Sequence, residues 1–322
     1  MVPKDRLEID HLTLITIIVP VYNESETILL FFDSLKQVIS KIDPYKYEVN
    51  VLFLNNASTD NSFEIIANLH SKYDYVYLIS MSSNVGYQKS IECGLKNAKG
   101  DLFVVIDVDC EDPPEMILQF LTQFEQGFDL VYGIRSDRHE IWLIKKFRKF
   151  FYHVVRRVGD DEAILYMAEF ALLTAEVRDA TVNSLDSFPF LRSSMARVGF
   201  KRVGIPYKRQ KRIAGKTNYN FYGMVVFAIA SILSSTTLPL RLPTYYLPLW
   251  TVSTLGFLWA YFSTDNTFYI LLLTASTCLY VGGTISAIAL YLARTYKNTL
   301  RRPNYFIHRR YSILQDPTSD IS

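Results

Sequence analysis

The chain has 322 residues, of which 49% are hydrophobic and 20% are charged, and its formal net charge is +2. This hydrophobic fraction is high for a soluble enzyme, whereas the charged fraction excludes a protein embedded wholly in a membrane, so a soluble part joined to a membrane part is expected. The near-neutral charge excludes general nucleic-acid binding, which needs a markedly basic domain or stripe.

Residues 1 to about 135 alternate short apolar runs with amphipathic stretches. This alternation is typical of an α/β fold with a mainly parallel sheet and helices packed on it. The apolar runs predict strands at 14–21, 49–54, 75–80, 102–107 and 130–133. The stretches between them predict helices at 24–42, 61–73, 87–98 and 113–126.

The pattern from residue 140 to residue 207 is weaker. A basic, aromatic helix is predicted at 140–158 and a returning strand at 203–207. The stretch around 169–173 is mixed and carries no assignment to helix or strand.

The last third of the chain predicts a membrane anchor. Residues 245–262 and 268–293 are each long enough to cross a hydrocarbon core of ~30 Å, and the polar turn 263–266 separates them. Basic runs on both sides of the apolar third favour one cytoplasmic face and an even number of crossings. The uncharged run 221–240 is therefore assigned to an interfacial helix, with a third crossing as the alternative.

A cluster of acids, DVDCED, occupies residues 107–112 after the fourth predicted strand. If the extended conformation continues, Asp107, Asp109 and Glu111 project to one side. Three carboxylates on one side repel one another unless a cation lies among them, and Mg²⁺ prefers oxygen ligands. The alternative is a solvated acidic loop that caps the next helix.

Polar clusters also follow the first three predicted strands, at 20–24, 55–60 and 83–86. In open α/β sheets, ligands bind beyond the carboxyl ends of the strands. We therefore expect these clusters and the acidic segment to converge on one rim.

The chain contains five such segments in order: VPVYNE, the polar turn after the second strand, an SxNxG-like turn, DVDCEDPPE and RIAGKTNY. In this order and spacing they resemble the motifs of family 2 glycosyltransferases with the GT-A fold. Within that family the chain looks most like the dolichyl-phosphate mannose synthase and bactoprenol glucosyl transferase group. The resemblance implies inverting, metal-dependent sugar transfer from a nucleoside-diphosphate sugar to a polyisoprenyl (undecaprenyl or dolichyl) phosphate at the cytoplasmic membrane face. The implied cofactor is Mg²⁺ or Mn²⁺.

The resemblance also implies roles for individual residues. The implied nucleotide-sugar-binding residues are Pro20, Tyr22, Glu24, Asn56, Asp107, Val108, Asp109, Arg135 and Arg212. The implied metal ligands are Asp107, Asp109 and Glu111, and the implied catalytic residues are Asp109 and Glu169. Because Arg209 and Lys216 lie in a basic run just before the predicted interfacial helix, they are assigned to the acceptor phosphate.

Five positions depart from the family pattern. Asn56 and Glu169 each stand where an aspartate is common, Glu111 replaces a frequent glutamine, and Ala171 and Asn218 replace an arginine and a lysine. A phosphate acceptor is already an anion and needs no base. Glu169 is thus a positioning residue or a base, or it pairs with basic residues at 145–149.

These features predict four regions: a GT-A glycosyltransferase domain at 1–218, an interfacial amphipathic region at 219–242, a transmembrane hairpin at 243–294 and a basic cytoplasmic tail at 295–322. The expected partners are the nucleotide-sugar, the lipid phosphate and the membrane, and a homo-oligomer is compatible with the sequence. Two alternatives stay open: transfer to a hydroxyl of a lipid-linked glycan, and an inactive membrane-tethered scaffold.

Overall fold

The computed structural model describes residues 12–135, 167–183, 190–210, 236–300 and 302–315. The chain divides into two compact units. The sheet unit comprises Met1–Lys145, Ile164–Asn220 and Pro303–Ser322, and the helical unit comprises Lys146–Ala163 and Phe221–Arg302. The predicted basic tail is therefore split, because its residues from 303 onward belong to the sheet unit.

The sheet unit is built on one mixed sheet. Its strands are β1 (Thr13–Val21), β2 (Tyr47–Asn55), β3 (Val76–Ser80), β4 (Leu102–Val105), β5 (Leu130–Arg135), β6 (Met167–Thr174) and β7 (Arg202–Tyr207). Their order across the sheet is β3-β2-β1-β4-β6-β5-β7. Only β6 runs against its neighbours β4 and β5 in this sheet of described residues, so the expectation of a mainly parallel α/β sheet is confirmed.

Strand β6 is the element that sequence reasoning left unassigned. It pairs with β4 on one side and β5 on the other, and its residues are buried along nearly the whole strand. A strand buried on both faces is expected to have a continuous apolar sequence. Glu169 interrupts the apolar sequence of β6, so the strand pattern was not apparent.

Helices cover both faces of the sheet. They are α1 (Ile28–Ile39), α2 (Ser62–His70), α3 (Tyr87–Asn97), α4 (Met116–Glu125), α5 (Ala175–Asn183) and α6 (Leu191–Arg197). Apolar side chains of α1, α2 and α4 share one buried cluster with one side of the sheet, and those of α3, α5 and α6 share a second cluster with the other side. Alternation along the strands supplies both clusters: Ile17 enters the first and Ile18 the second.

Two helices begin three or four residues later in the structure than predicted. The helix predicted from residue 24 begins at Ile28, because the amides of Thr27 and Ile28 both bond to the Glu24 carbonyl in a preceding turn. The helix predicted from Pro113 begins at Met116. The helix predicted at 140–158 lies outside the described residues.

The described part of the helical unit is a pair of long helices, α7 (Leu238–Thr264) and α8 (Phe268–Thr299). They are joined by a turn in which Asp265 is left-handed, with φ 48°. Trp250 of α7 stacks on Tyr280 of α8, with ring centroids 4.7 Å apart. Among the described residues, one helix, α8, is long and apolar enough to be a candidate membrane span.

Helix α7 differs from the prediction at its start. It runs without interruption from Leu238, across the expected boundary between the interfacial region and the hairpin, and it contains Pro243 and Pro248. The predicted interfacial segment from 221 to 235 lies outside the described residues.

The last described segment, residues 302–315, packs along the free edge of the sheet. Ile313 forms an antiparallel bridge with Leu78 of β3, and Ile307 forms one with Met81 just beyond it. The Tyr305 side chain is buried in the cluster that contains α3. These contacts cover an edge strand whose backbone groups would otherwise be unpaired.

Candidate active site

The site lies at one edge of the sheet, where the carboxyl ends of six strands meet the amino end of β6. Strands β1 to β4 are parallel to one another, β5 and β7 are parallel, and β6 opposes both β4 and β5. The loops after these strands therefore converge, as expected from the polar clusters in the sequence. Glu169 reaches the same rim because it lies near the start of the reversed strand.

Hydrogen bonds tie the loops after β1 and β2 together. The Asn23 amide donates to Ser58 Oγ over 3.1 Å, and Asn23 Oδ1 accepts from the Thr59 amide over 2.8 Å. The Ser25 amide donates to Asp60 Oδ2 over 3.0 Å. Both loops are thus fixed relative to each other before any ligand binds.

Left-handed backbone marks the ends of the three adjacent strands β2, β1 and β4. Ala57, Asn23 and Cys110 have φ values of 56°, 54° and 60° respectively. Such values are uncommon for residues other than glycine and occur most often at functional sites.

Asn56 connects the loop after β2 to the loop after β3. Its Nδ2 donates to Asn84 Oδ1 over 3.0 Å, and its Oδ1 accepts from the Val85 amide over 2.9 Å. An aspartate at this position has no donor for Asn84. Asparagine at position 56 therefore makes a contact between these loops that an aspartate could not donate.

The acidic loop does not continue β4 in an extended conformation. The strand ends at Val105, and a turn with left-handed Cys110 follows. The extended conformation on which the alternation of Asp107, Asp109 and Glu111 depended is therefore absent from this loop. The turn is closed by a 3.0 Å hydrogen bond from the Glu111 amide to Asp109 Oδ1.

Asp107 lies in an environment that disfavours its charged form. Burial, followed by the negative charges of Asp109 and Asp112, raises the pKa of Asp107 to about 7. The Tyr87 hydroxyl donates to Asp107 Oδ1 over 2.5 Å. Burial and the nearby Asp107 carboxylate raise the pKa of Tyr87, so this hydroxyl stays protonated and remains a donor.

Glu111 and Arg209 form an ion pair over the acidic loop. Arg209 Nη2 also lies 3.9 Å from Asp109 Oδ2, and Arg209 Nε lies 4.0 Å from Asp112 Oδ1. Arg209, assigned from the sequence to an acceptor phosphate, thus balances the charge of the acids in this structure. No group of three His, Cys, Asp or Glu side chains within the described ranges is arranged to hold a metal ion.

Asp112 fixes Arg135 at the end of β5. Only 1% of Asp112 is exposed, and it accepts from Arg135 Nη2 over 3.1 Å and from the Tyr207 hydroxyl. Arg135 Nε also donates to the Tyr207 hydroxyl over 3.1 Å. The guanidinium of this predicted nucleotide-sugar-binding residue is therefore held in place by β7 and the acidic loop.

Glu169 is bound by partners that sequence reasoning missed. Arg192 donates to both carboxylate oxygens, over 2.6 Å from Nε to Oε1 and through Nη2 to Oε2. Gln88 Nε2 also donates to Oε1 over 3.1 Å, while Gln88 Oε1 accepts from the Leu191 amide. The pairing that was considered with residues 145–149 involves residues outside the described ranges.

The other predicted site residues are buried, partly exposed, or outside the described residues. Pro20 is buried within β1 opposite Leu54, and Val108 is buried in the hydrophobic cluster. Any contact from these two to a ligand therefore has to come from the backbone or from the edge of the side chain. Tyr22 and Glu24 are partly exposed in the loop after β1, and Arg212, Lys216 and Asn218 lie outside the described residues.

Comparisons with known proteins show the family to which the chain belongs. The family model for glycosyl transferase family 2 matches residues 16–182, which include the sheet from β1 to β6. The uncharacterized glycosyltransferase YkcC of Bacillus subtilis is 32% identical over 92% of this chain and 94% of its own length. The chain belongs to glycosyl transferase family 2.

Further family 2 relatives carry more specific names. The prophage bactoprenol glucosyl transferase homolog of Escherichia coli is 30% identical over 92% of this chain and 98% of its own length. The bactoprenol glucosyl transferase of Shigella phage SfX is 29% identical over 92% and 99%. Membership of the family makes this chain a glycosyltransferase, as the sequence predicted.

Solved structures of more distant proteins also match. The mannosyltransferase PcManGT from Pyrobaculum calidifontis, in complex with GDP-Man and Mn²⁺, is 18% identical, covers 92% of this chain and 83% of its own, and has a TM-score of 0.41. Mannosyl-3-phosphoglycerate synthase from Rubrobacter xylanophilus is 13% identical over 68% and 71%, with a TM-score of 0.47.

Proposed function

We propose that this glycosyltransferase transfers a sugar from a nucleoside-diphosphate sugar to the phosphate of a polyisoprenyl lipid, with inversion at the anomeric carbon. The bactoprenol glucosyl transferases related to it over nearly their full lengths support a lipid phosphate acceptor. In this reaction an acceptor phosphate oxygen bonds to the anomeric carbon while the bond from that carbon to the diphosphate oxygen breaks. The nucleoside diphosphate leaves with the bonding electrons.

The observation that supports a phosphate acceptor is the burial and hydrogen bonding of the Glu169 carboxylate. Only 5% of this residue is exposed, and both carboxylate oxygens accept hydrogen bonds from Arg192. A hydroxyl acceptor needs a base within hydrogen-bond reach of its proton, whereas a phosphate acceptor needs positioning and charge neutralisation. The bound carboxylate suits the second requirement.

The nucleoside is assigned to the loops after β1, β2 and β3. These loops contain Tyr22, Glu24 and Asn56, and they are held together by the hydrogen bonds of Asn23 and Asn56. A preorganised polar rim lowers the entropy cost of binding the donor. The diphosphate would then extend toward the acidic loop after β4 and toward Arg135, with Arg212 as a further proposed contact.

The acidic loop fits a divalent cation whose coordination is completed by phosphate oxygens of the donor. Mg²⁺ is usually held by one or two carboxylates together with substrate phosphates, and Asp107 lies close enough to Asp109 for their charges to interact. When bound there, Mg²⁺ or Mn²⁺ would stabilise the charge on the departing diphosphate. Asp107 and Asp109 are the proposed ligands, and Glu111 is a further ligand if it leaves Arg209.

Membrane attachment is proposed through two crossings. Residues 303–315 belong to the same sheet unit as β1 to β7, so the chain leaves this unit after residue 220 and returns to it. If α8 crosses the membrane, a second crossing is needed for that return. Helix α7, with 27 residues, exceeds the about 20 that a span requires.

The experiment that tests this function is a screen of nucleotide-sugars with purified protein in detergent, with and without undecaprenyl phosphate. We expect metal-dependent release of nucleoside diphosphate that increases strongly when the lipid is added, with a sugar-bearing lipid as the second product. Release of nucleoside diphosphate at the same rate with and without the lipid, or sugar transfer only to a glycan hydroxyl, would contradict the proposal.

A further inference from the structure

Charge is distributed unevenly along the rim of the sheet. The loops at 22–27, 56–61 and 81–86, after β1, β2 and β3, contain no lysine or arginine. The acids cluster after β4, in the middle of the sheet. Among the described residues, the half of the sheet formed by β6, β5 and β7 supplies three arginines to the rim: Arg135, Arg192 and Arg209.

Arg192 is held differently from the other two. Arg135 donates to Asp112 and Tyr207, and Arg209 pairs with Glu111 in the acidic loop. Arg192 instead contacts Glu169, which belongs to β6 and not to the acidic loop, through Nε and Nη2. Of its side chain, 30% is exposed.

The geometry of a guanidinium explains what this contact leaves available. Arginine carries five N–H donors and can present two separate edges to oxyanions, one formed by Nε with one terminal nitrogen and one formed by the two terminal nitrogens. Glu169 takes the first edge of Arg192. The remaining three N–H groups lie on Nη1 and Nη2, and no hydrogen bond from Nη1 to a residue in the described ranges is found.

A second layer of contacts immobilises the pair. Gln88 donates to Glu169 and accepts from the Leu191 amide, so it connects α3, β6 and the first turn of α6. Tyr87, the neighbour of Gln88 on α3, donates to Asp107. Arg192 is therefore fixed relative to the acidic loop through only two intervening side chains of one helix.

We propose that Arg192 binds the phosphate of the acceptor through the edge formed by Nη1 and Nη2, and that Glu169 is a positioning residue that holds Arg192 for this contact. The inference rests on the proposed function and adds a residue to it. The ligand class is a phosphate monoester, because the donor diphosphate is already assigned to the acidic loop and Arg135, and the nucleoside to the loops after β1, β2 and β3.

Two consequences separate this role from base catalysis by Glu169. Loss of Arg192 should weaken binding of the acceptor far more than binding of the donor. Loss of the Glu169 charge should act through Arg192, so that the effects of the two substitutions are not additive, as is usual for residues that act as a unit.

The test is equilibrium binding of undecaprenyl phosphate and, separately, of UDP with Mn²⁺ to the full-length protein in detergent. Arg192→Ala is expected to raise the Kd for undecaprenyl phosphate about tenfold or more, the range for a hydrogen bond to a charged group, and to change UDP binding less than about twofold. Arg192→Lys should give a smaller loss, since an ammonium keeps the charge without the second edge. Arg197→Ala, at the exposed end of the same helix, is the matched control and should bind both ligands normally.

The Glu169→Gln variant completes a double-mutant cycle. We expect it to weaken the binding of undecaprenyl phosphate less than Arg192→Ala does. The double variant should bind this lipid no more weakly than Arg192→Ala alone. The near-ultraviolet circular dichroism of each variant reports folding. If Arg192→Ala fails to fold, Arg192→Lys and Glu169→Gln carry the test.

Three results would overturn the inference. Unchanged lipid binding in the folded Arg192 variants would remove Arg192 from the acceptor site while leaving the proposed function intact. A Glu169→Gln variant that binds both ligands normally but loses turnover, with a changed pH–rate profile, would make Glu169 a base. Wild-type protein that neither binds nor glycosylates a polyisoprenyl phosphate would overturn the proposed function as well.

Discussion

At the scale of single residues, the site combines carboxylates and arginines that constrain one another. Asp112 holds Arg135, Glu111 holds Arg209 and Glu169 holds Arg192. Buried charges are expected to be paired, because leaving one unpaired costs several kcal/mol. In these three pairs the acid fixes a cation at the rim, whereas Asp107 and Asp109 are the acids proposed to hold the metal ion.

The role of Asp109 is tested by Asp109→Asn. The asparagine keeps an Oδ1 acceptor for the Glu111 amide, so the turn should be retained while the charge is lost. We expect turnover to fall about 100-fold or more, because a metal site contributes several kcal/mol to the transition state. The measurement is Mn²⁺ binding in the presence of UDP together with turnover, and a folded variant with near-normal values for both would refute the metal assignment.

The role of Asn56 is tested by Asn56→Asp. The new carboxylate would lose the hydrogen bond to Asn84 and lie about as close to Asn84 Oδ1 as the amide now does, at 3.0 Å. We expect the loops to loosen, with a rise in the donor KM and a loss of about 1–3 kcal/mol in unfolding free energy. Asn61→Asp, at an exposed position, is the control for the same change, and equal behaviour of the two variants would contradict the structural role.

At the scale of elements, most of the sheet could be predicted from the sequence. Strands β1 to β3 give apolar runs bounded by polar turns, and their predicted ends differ from the observed ones by two residues or fewer. The end of β4 and the start of α1 were predicted less accurately. The segments that follow β4 and precede α1 depend on hydrogen bonds within a turn and between loops. The extended conformation does not continue beyond β4 for that reason.

The partners of Glu169 and the tail could not be predicted, because both depend on contacts between distant parts of the chain. Glu169 meets Arg192 only when β6 is inserted between β4 and β5. The tail was interpreted from its charge as a basic cytoplasmic segment. Its apolar residues Tyr305, Ile307 and Ile313 were the signal that it packs on the sheet.

The tail contact is tested by Tyr305→Ala. Tyr305 is 9% exposed, and its hydroxyl accepts from Asn97 Nδ2 over 3.2 Å. Removing a buried aromatic ring costs about 3 kcal/mol or more, so thermal unfolding in detergent should shift to clearly lower temperature. The adjacent Phe306 is 64% exposed, and Phe306→Ala should stay within about 0.5 kcal/mol of wild type. Equal effects of the two changes would mean that the tail is not packed as described.

At the scale of the whole molecule, the return of residues 303–315 to the sheet unit favours two crossings over the single candidate span. A protein with α8 as its only crossing would have the tail and the sheet on opposite faces of the membrane. In a variant without Cys278, a cysteine at Asp265 is expected to react with a membrane-impermeant thiol reagent in intact cells, and one at Arg310 is expected to react only after lysis. The reverse pattern, or labelling of both in intact cells, would contradict the two-crossing arrangement.

The most direct test of the central claim compares undecaprenyl phosphate with undecaprenol as acceptors for the purified enzyme and its preferred nucleotide-sugar. The two lipids differ only in the phosphate, and mass spectrometry identifies any glycosylated product. The account predicts a glycosyl phosphate lipid from undecaprenyl phosphate, with inverted anomeric configuration, and no product from undecaprenol. Comparable transfer to undecaprenol, or no lipid product from either acceptor, would contradict it.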